Sequence, residues 1–137
     1  MMLGIDHVQL AIPPGSEDEG RRFYIGVLGM EEVPKPPALA ARGGVWFKSG
    51  QVQLHLGVEA DFRPASKAHP AILVADLDGL ASKLHLSGYE PIWDEAIPGV
   101  RRFYAADPFG NRLEFIGASR DSRLSDIDPV QKISAQS

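Results

Sequence analysis

Three histidines and one glutamate recur at corresponding points of a repeated pattern. His7 lies in the run Ile5-Asp6-His7-Val8-Gln9-Leu10-Ala11-Ile12, and His69 in Ala68-His69-Pro70-Ala71-Ile72-Leu73-Val74. Further along each half, His55 lies in Gln53-Leu54-His55-Leu56 and Glu114 in Arg112-Leu113-Glu114-Phe115, at a similar distance from the opening run. Three imidazoles and a carboxylate form a nitrogen and oxygen donor set that suits a divalent first-row ion: Zn, Ni, Mn, Co or Fe(II). The lack of thiolate donors disfavours Cu(I), and two of the histidines with the glutamate match the facial set of non-haem iron. A single strand histidine is more often hydrogen-bonded or solvated, and a sheet with one wet face alternates polar and apolar residues in any case. The repeated placement carries the metal reading. His85, the fourth histidine, falls in the second helical stretch and is set apart from the group.

The elements that must position these residues follow from periodicity and turn chemistry. Ile5 to Ile12 alternates as a strand, with Val8, Leu10 and Ile12 on one face and His7, Gln9 and Ala11 on the other. Pro13-Pro14-Gly15 stops it, and Ser16-Glu17-Asp18-Glu19 reads as a capping box opening a helix from Glu17 to Leu28, closed by Gly29. Glu31 to Val33 is a short strand and Lys35 to Gly44 a loop with the composition of a lid. Val45 to Lys48 and Val52 to Val58 form a hairpin around Ser49-Gly50. The second half repeats the order: strand His69 to Val74, helix Asp76 to Leu86 with Gly88 as stop, and strand Glu90 to Trp93. A hairpin of Val100 to Ala105 and Arg112 to Ile116 then turns at Asp107-Pro108-Phe109-Gly110-Asn111. Both halves read β-α-β-β-β, which implies an α+β fold with a first module over 1–62, a second over 63–118 and a polar tail over 119–137. If Leu54, Leu56, Leu113 and Phe115 pack on the helices, strand parity turns His7, His55, His69 and Glu114 to the opposite face.

Composition bounds the rest. The chain has 137 residues, of which 44% are apolar, enough for a core in one small domain or two fused halves. A net charge of −4 and the absence of a basic, aromatic-interleaved run argue against nucleic acid as a partner. With no cysteine, disulfides and thiol chemistry are excluded, and no membrane span or secretory leader is read, so a cytoplasmic location is expected. No phosphate-binding loop, hydrolase elbow or H-E-x-x-H run occurs. Trp46, Phe47, Trp93, Phe103 and Tyr104 suit core packing better than pocket lining. Arg101, Arg102 and Arg112 gather in the second hairpin, where a solvated face is favoured over a grip on a carboxylate or phosphate; Arg112 shares the parity of Glu114.

Several segments resemble the vicinal oxygen chelate superfamily of glyoxalases, bleomycin and fosfomycin resistance proteins and extradiol dioxygenases. These are Ile5 to Ile12, Phe-Tyr-Ile-Gly-Val-Leu-Gly-Met at Phe23 to Met30, Leu-His-Leu-Gly at Leu54 to Gly57, and above all Asp-Pro-Phe-Gly-Asn-Arg-Leu-Glu-Phe-Ile at Asp107 to Ile116. The resemblance implies paired βαβββ modules curled into a cup, with metal ligands at His7, His55, His69 and Glu114. It also implies a small-molecule substrate chelated through adjacent oxygens and a homodimer, with modules shared between chains in some members. A glyoxalase-I-like site usually has a carboxylate where this chain has His55, which leaves Glu114 as the proton shuttle. Three functions are weighed: a metal-dependent lyase, isomerase, epimerase or transferase of the glyoxalase-like type; a metal-free drug-sequestering protein of the bleomycin-resistance type; and an extradiol-type dioxygenase. A protein-interaction domain using the sheet faces is a weaker reading.

Overall fold

The computed structural model describes residues 1–118; the tail expected over 119–137 lies outside them. Two four-stranded sheets carry the α+β architecture. The first contains β1 (Val8–Ile12), β2 (Glu31–Val33), β3 (Val45–Ser49) and β4 (Val52–Val58), in the spatial order β1-β4-β3-β2. The second contains β5 (Ala71–Val74), β6 (Ile92–Asp94), β7 (Arg102–Ala106) and β8 (Arg112–Gly117), in the order β5-β8-β7-β6. In each sheet the first strand pairs in parallel with the last, and the other pairs are antiparallel. The helices are α1 (Glu17–Tyr24), α2 (Pro37–Ala40) and α3 (Leu77–Leu86). No helix among the described residues is long and apolar enough to cross a membrane.

The parity read from the sequence holds. Leu10 and Ile12 of β1, Leu54 and Leu56 of β4, and Leu113 and Phe115 of β8 are all buried. They pack with Phe23 and Tyr24 of α1 and with Leu77 and Leu84 of α3 in one apolar cluster. Each such side chain contributes on the order of 1.5–3 kcal/mol when fully withdrawn from water. α3 begins at Asp76, whose carboxylate accepts the Gly79 amide at 3.0 Å. It ends at Gly88, which adopts the left-handed φ of 90° that a side chain disfavours.

α1 departs from expectation at both ends. Ser16 makes no side-chain cap; its hydroxyl donates to Pro13 O instead. The helix ends at Tyr24 rather than Leu28, and Ile25 to Leu28 continue as turns until Gly29 reverses the chain. Wider backbone bonds, Leu28 N to Phe23 O and Met30 N to Tyr24 O, join the remaining helical ones, Val27 N to Phe23 O and Gly29 N to Ile25 O. α2 occupies part of the stretch read as a loop, and β5 begins at Ala71, after His69 and Pro70.

One buried polar knot ties the first half of the chain to the second. Tyr24 donates its hydroxyl to Asp107 Oδ2 at 2.8 Å, while Asp107 Oδ1 accepts the amides of Phe109 and Asn111. Asn111 in turn donates Nδ2 to Ala11 O at 2.8 Å and accepts the Ala65 amide at 3.0 Å. Burial, with Asp107 alongside, holds the Tyr24 phenol well above its ordinary range, so it remains a donor. Burial also pushes the Asp107 carboxyl up, and the hydrogen bonds from Tyr24, Asn111 and Phe109 oppose that. Tyr24→Phe should therefore cost about 1–2 kcal/mol, and Asp107→Ala, which strands several donors, about 2–4 kcal/mol. Urea denaturation measures both, and the double variant should lose less than the two together because they share one bond.

Candidate metal-binding face

Strand register places the chemistry-bearing residues in two matching rows on the face turned away from the helices. In the first sheet Trp46 of β3 lies opposite His55 of β4, which lies beside Gln9 of β1. In the second sheet Tyr104 of β7 lies opposite Glu114 of β8, which lies beside Ala71 of β5. His7 immediately precedes β1, and His69 stands two residues before β5.

The first row is a stack of rings. The Trp46 indole lies on the His55 imidazole with centroids 4.1 Å apart, and His55 lies on His7 at 4.0 Å, both nearly parallel. His7 Nδ1 is 2.9 Å from Asp6 Oδ2, leaving Nε2 for another partner. His55 is only 6% exposed. Burial, reinforced by His7, lowers its pKa, which keeps the ring neutral and its lone pair available at neutral pH.

The second row is built on charge. His69 Nε2 lies 2.9 Å from Glu114 Oε1, and His69 Nδ1 lies 2.7 Å from Lys67 O. Arg102 donates to Glu114 Oε2 and to Asp94 Oδ1, each at 3.1 Å. The bond to Glu114 is the main cause that raises the Arg102 pKa, with Asp94 adding to it. The Arg102 Nε is buried with no hydrogen-bond partner among the described residues. Arg112 lies over the Tyr104 ring, 3.9 Å from its centroid.

The tautomer of His69 follows from its partners. A carbonyl only accepts, so Nδ1 carries a proton toward Lys67 O. In the neutral ring Nε2 then presents a lone pair to the Glu114 carboxylate, and two acceptors meet at 2.9 Å. A second proton, on the imidazole or on the carboxyl, or a metal ion bound by both groups satisfies the contact. A histidine whose other nitrogen is anchored by a carbonyl or carboxylate is the usual way a metal ligand is oriented, and His7 and His69 share that arrangement.

His7 with His55 form one pair, and His69 with Glu114 another. Among the described residues of one chain, no group of three or more histidine, aspartate or glutamate side chains could hold a single ion. Arg102 was not assigned to Glu114 from the sequence, which favoured Arg112. Pairing residues back across the Asp107 to Asn111 turn sets Tyr104 opposite Glu114 and Arg102 opposite Ile116, so both arginines share the face. The aromatics divide: Phe47 and Phe103 are fully buried in the core, while Trp46 and Tyr104 lie in the two rows.

A sequence model of the Glyoxalase/Bleomycin resistance protein/Dioxygenase superfamily matches residues 4–115, and the chain belongs to that superfamily. It is 51% identical to a protein ascribed to the glyoxalase family from Bacillus anthracis, with a TM-score of 0.84 over 87% of this chain and 98% of that one. The fosfomycin resistance protein FosX from Listeria monocytogenes shares the fold at 15% identity, with a TM-score of 0.70 over 90% of this chain and 99% of that one. Lactoylglutathione lyase from Agrobacterium tumefaciens does so at 20% identity, with a TM-score of 0.62 over 81% and 92%. A variant of the Listeria FosX has been crystallised with Mn(II) and 1S,2S-dihydroxypropylphosphonic acid. No curated protein matches the chain in sequence.

In metal-free protein the His55 ring should titrate below the ordinary histidine value of about 6.5. Long-range proton–nitrogen NMR across a pH series reads this directly, and a midpoint at or above that value would contradict the buried stack.

Proposed function

We propose that the chain is a cytoplasmic, divalent-metal-dependent enzyme of the glyoxalase-like type, built from modules over 1–62 and 63–118. It acts on a small oxygenated substrate, chelated through two adjacent oxygens, as a lyase, isomerase, epimerase or transferase. The observation that carries the reading is the 2.9 Å approach of His69 Nε2 to Glu114 Oε1, each group fixed from behind by Lys67 O and Arg102.

His7, His55, His69 and Glu114 are the proposed ligands, and their nitrogen and oxygen donors fit Zn, Ni, Mn, Co or Fe. Such an ion, when bound, acts as a Lewis acid toward substrate oxygens. The chain's own residues supply the rest. Trp46 covers one side of His55 and holds the ring flat against His7. Arg102 occupies Glu114 Oε2, so Oε1, the atom shared with His69, would leave the ion to take or return a substrate proton. With its lone pair committed as a ligand, His55 is not a base, and Glu114 is the proposed proton shuttle.

The two ligand pairs within one chain suggest completion by a second copy. In the proposed homodimer, His7 and His55 of one copy meet His69 and Glu114 of the other. A second reading is a metal-free binding protein of the bleomycin-resistance type. It is favoured by the same His69 contact, because one proton held between His69 and Glu114 satisfies it without an ion.

Elemental analysis of protein purified without added metal separates the two readings. The enzyme reading expects about one ion per site, with affinity falling about tenfold or more in His69→Ala and in Glu114→Gln. Absence of any ion, with small-molecule binding intact in both variants, would select the binding protein. Mixing His7→Ala chains with Glu114→Ala chains tests the shared site. Each mixed dimer regains one complete ligand set and should bind metal, whereas sites confined to single chains would gain nothing.

A further inference from the structure

The two sheets differ at one place where their repeat implies sameness. Aligned on the His55 and Glu114 rows, Ala11, Gly44 and Gly57 of the first half correspond to Leu73, Arg102 and Ile116 of the second. In the second sheet this area is filled, and Arg102 is committed to Glu114 and Asp94. In the first, Gly44 and Gly57 bring no side chain, and the Gln9 side chain lies over Gly57. A Cβ on Gly44 would lie 2.3 Å from Leu56 O, and one on Gly57 would lie 2.5 Å from the Gln9 amide nitrogen. Neither position accepts a side chain without a shift in its surroundings.

Beside Gly57 lies a hollow of about 240 Å³ bordered by Gln9, Lys35, Leu39, Arg42, Trp46 and Gly57. Lys35 and Arg42 come from the β2–β3 connection, which Lys35 pins by donating to Gly43 O. The Glu17 carboxylate, next to Gly43, accepts the Gly44 amide at 3.0 Å. Among the described residues neither Lys35 nor Arg42 makes an ion pair.

We propose that this hollow is an oxyanion subsite: Lys35, Arg42 and the Gln9 side-chain amide hold a carboxylate or phosphoryl group of the substrate beside Trp46. Combined with the function proposed above, on which this half of the statement rests, the substrate is a small molecule with chelating oxygens at one end and an oxyanion at the other. Guanidinium and ammonium donors form short, charge-assisted bonds to such groups, and arginine matches their two-oxygen geometry.

The test needs no metal, so its outcome is separate from that of the metal reading. Inorganic phosphate, and acetate in a parallel series, are titrated into the metal-free protein and followed by backbone amide NMR. Saturable shifts confined to Gln9, the β2–β3 connection and Gly57 are expected for at least one anion. Stronger binding of phosphate assigns a phosphoryl substrate, and equal or stronger binding of acetate a carboxylate. Lys35→Met and Arg42→Gln should each weaken that binding about fivefold, the scale of a partly exposed charged contact. Arg42 is exposed and its side chain pins nothing, so Arg42→Gln remains informative if Lys35→Met loosens the connection. Shifts scattered over the surface, binding unchanged in Arg42→Gln, or no saturable binding of either anion would overturn the subsite.

Discussion

The site depends on the two-residue period of an extended chain. Leu54 and Leu56 can lie in the apolar cluster only if His55, between them, points the other way, and the same holds for Glu114 between Leu113 and Phe115. The apolar neighbours therefore fix the direction of the donor groups more firmly than any polar contact does. A register slip of one residue in β4 would drive an imidazole into the helix layer and a leucine onto the polar face. The stability of the core and the placement of the proposed ligands thus rest on one geometric constraint.

This explains why so much was legible in the sequence. Alternation around His7 and His55, and the glycines at 29 and 88, are local signals with local causes, and the strands and α3 follow from them closely. What the sequence hid depends on pairing between strands. The bond from Arg102 to Glu114, the stacking of Trp46 on His55 and the place of Tyr104 beside Arg112 all follow from cross-strand register, which is set only once the hairpin turns are fixed. The premature end of α1 has a similar origin. Phe23 satisfies the helix period, yet the chain after Tyr24 must turn to deliver Glu31 to β3, and tertiary demand overrides the pattern.

The duplication has been kept in its skeleton and changed in its surface. Both halves retain a histidine ahead of the first strand, a donor in the last and an aromatic residue opposite that donor. Around this frame the chemistry diverges. One half stacks aromatic rings, and the other opposes a carboxylate to a guanidinium. Two copies of one fold thereby offer two unlike electrostatic environments, which a single module facing its own duplicate could not provide.

The Tyr24 hydroxyl finds its acceptor 83 residues downstream, and Asn111 reaches back 100 residues to Ala11. During synthesis the amino-terminal sheet emerges long before either partner exists. Until then a phenol and a strand carbonyl that belong in the interior stay wet, and the outer edge of β1 stays uncovered. Completion of the fold is thus timed by the arrival of one five-residue turn near the end of the described chain, and native contacts of this span make folding slow for a protein of this size.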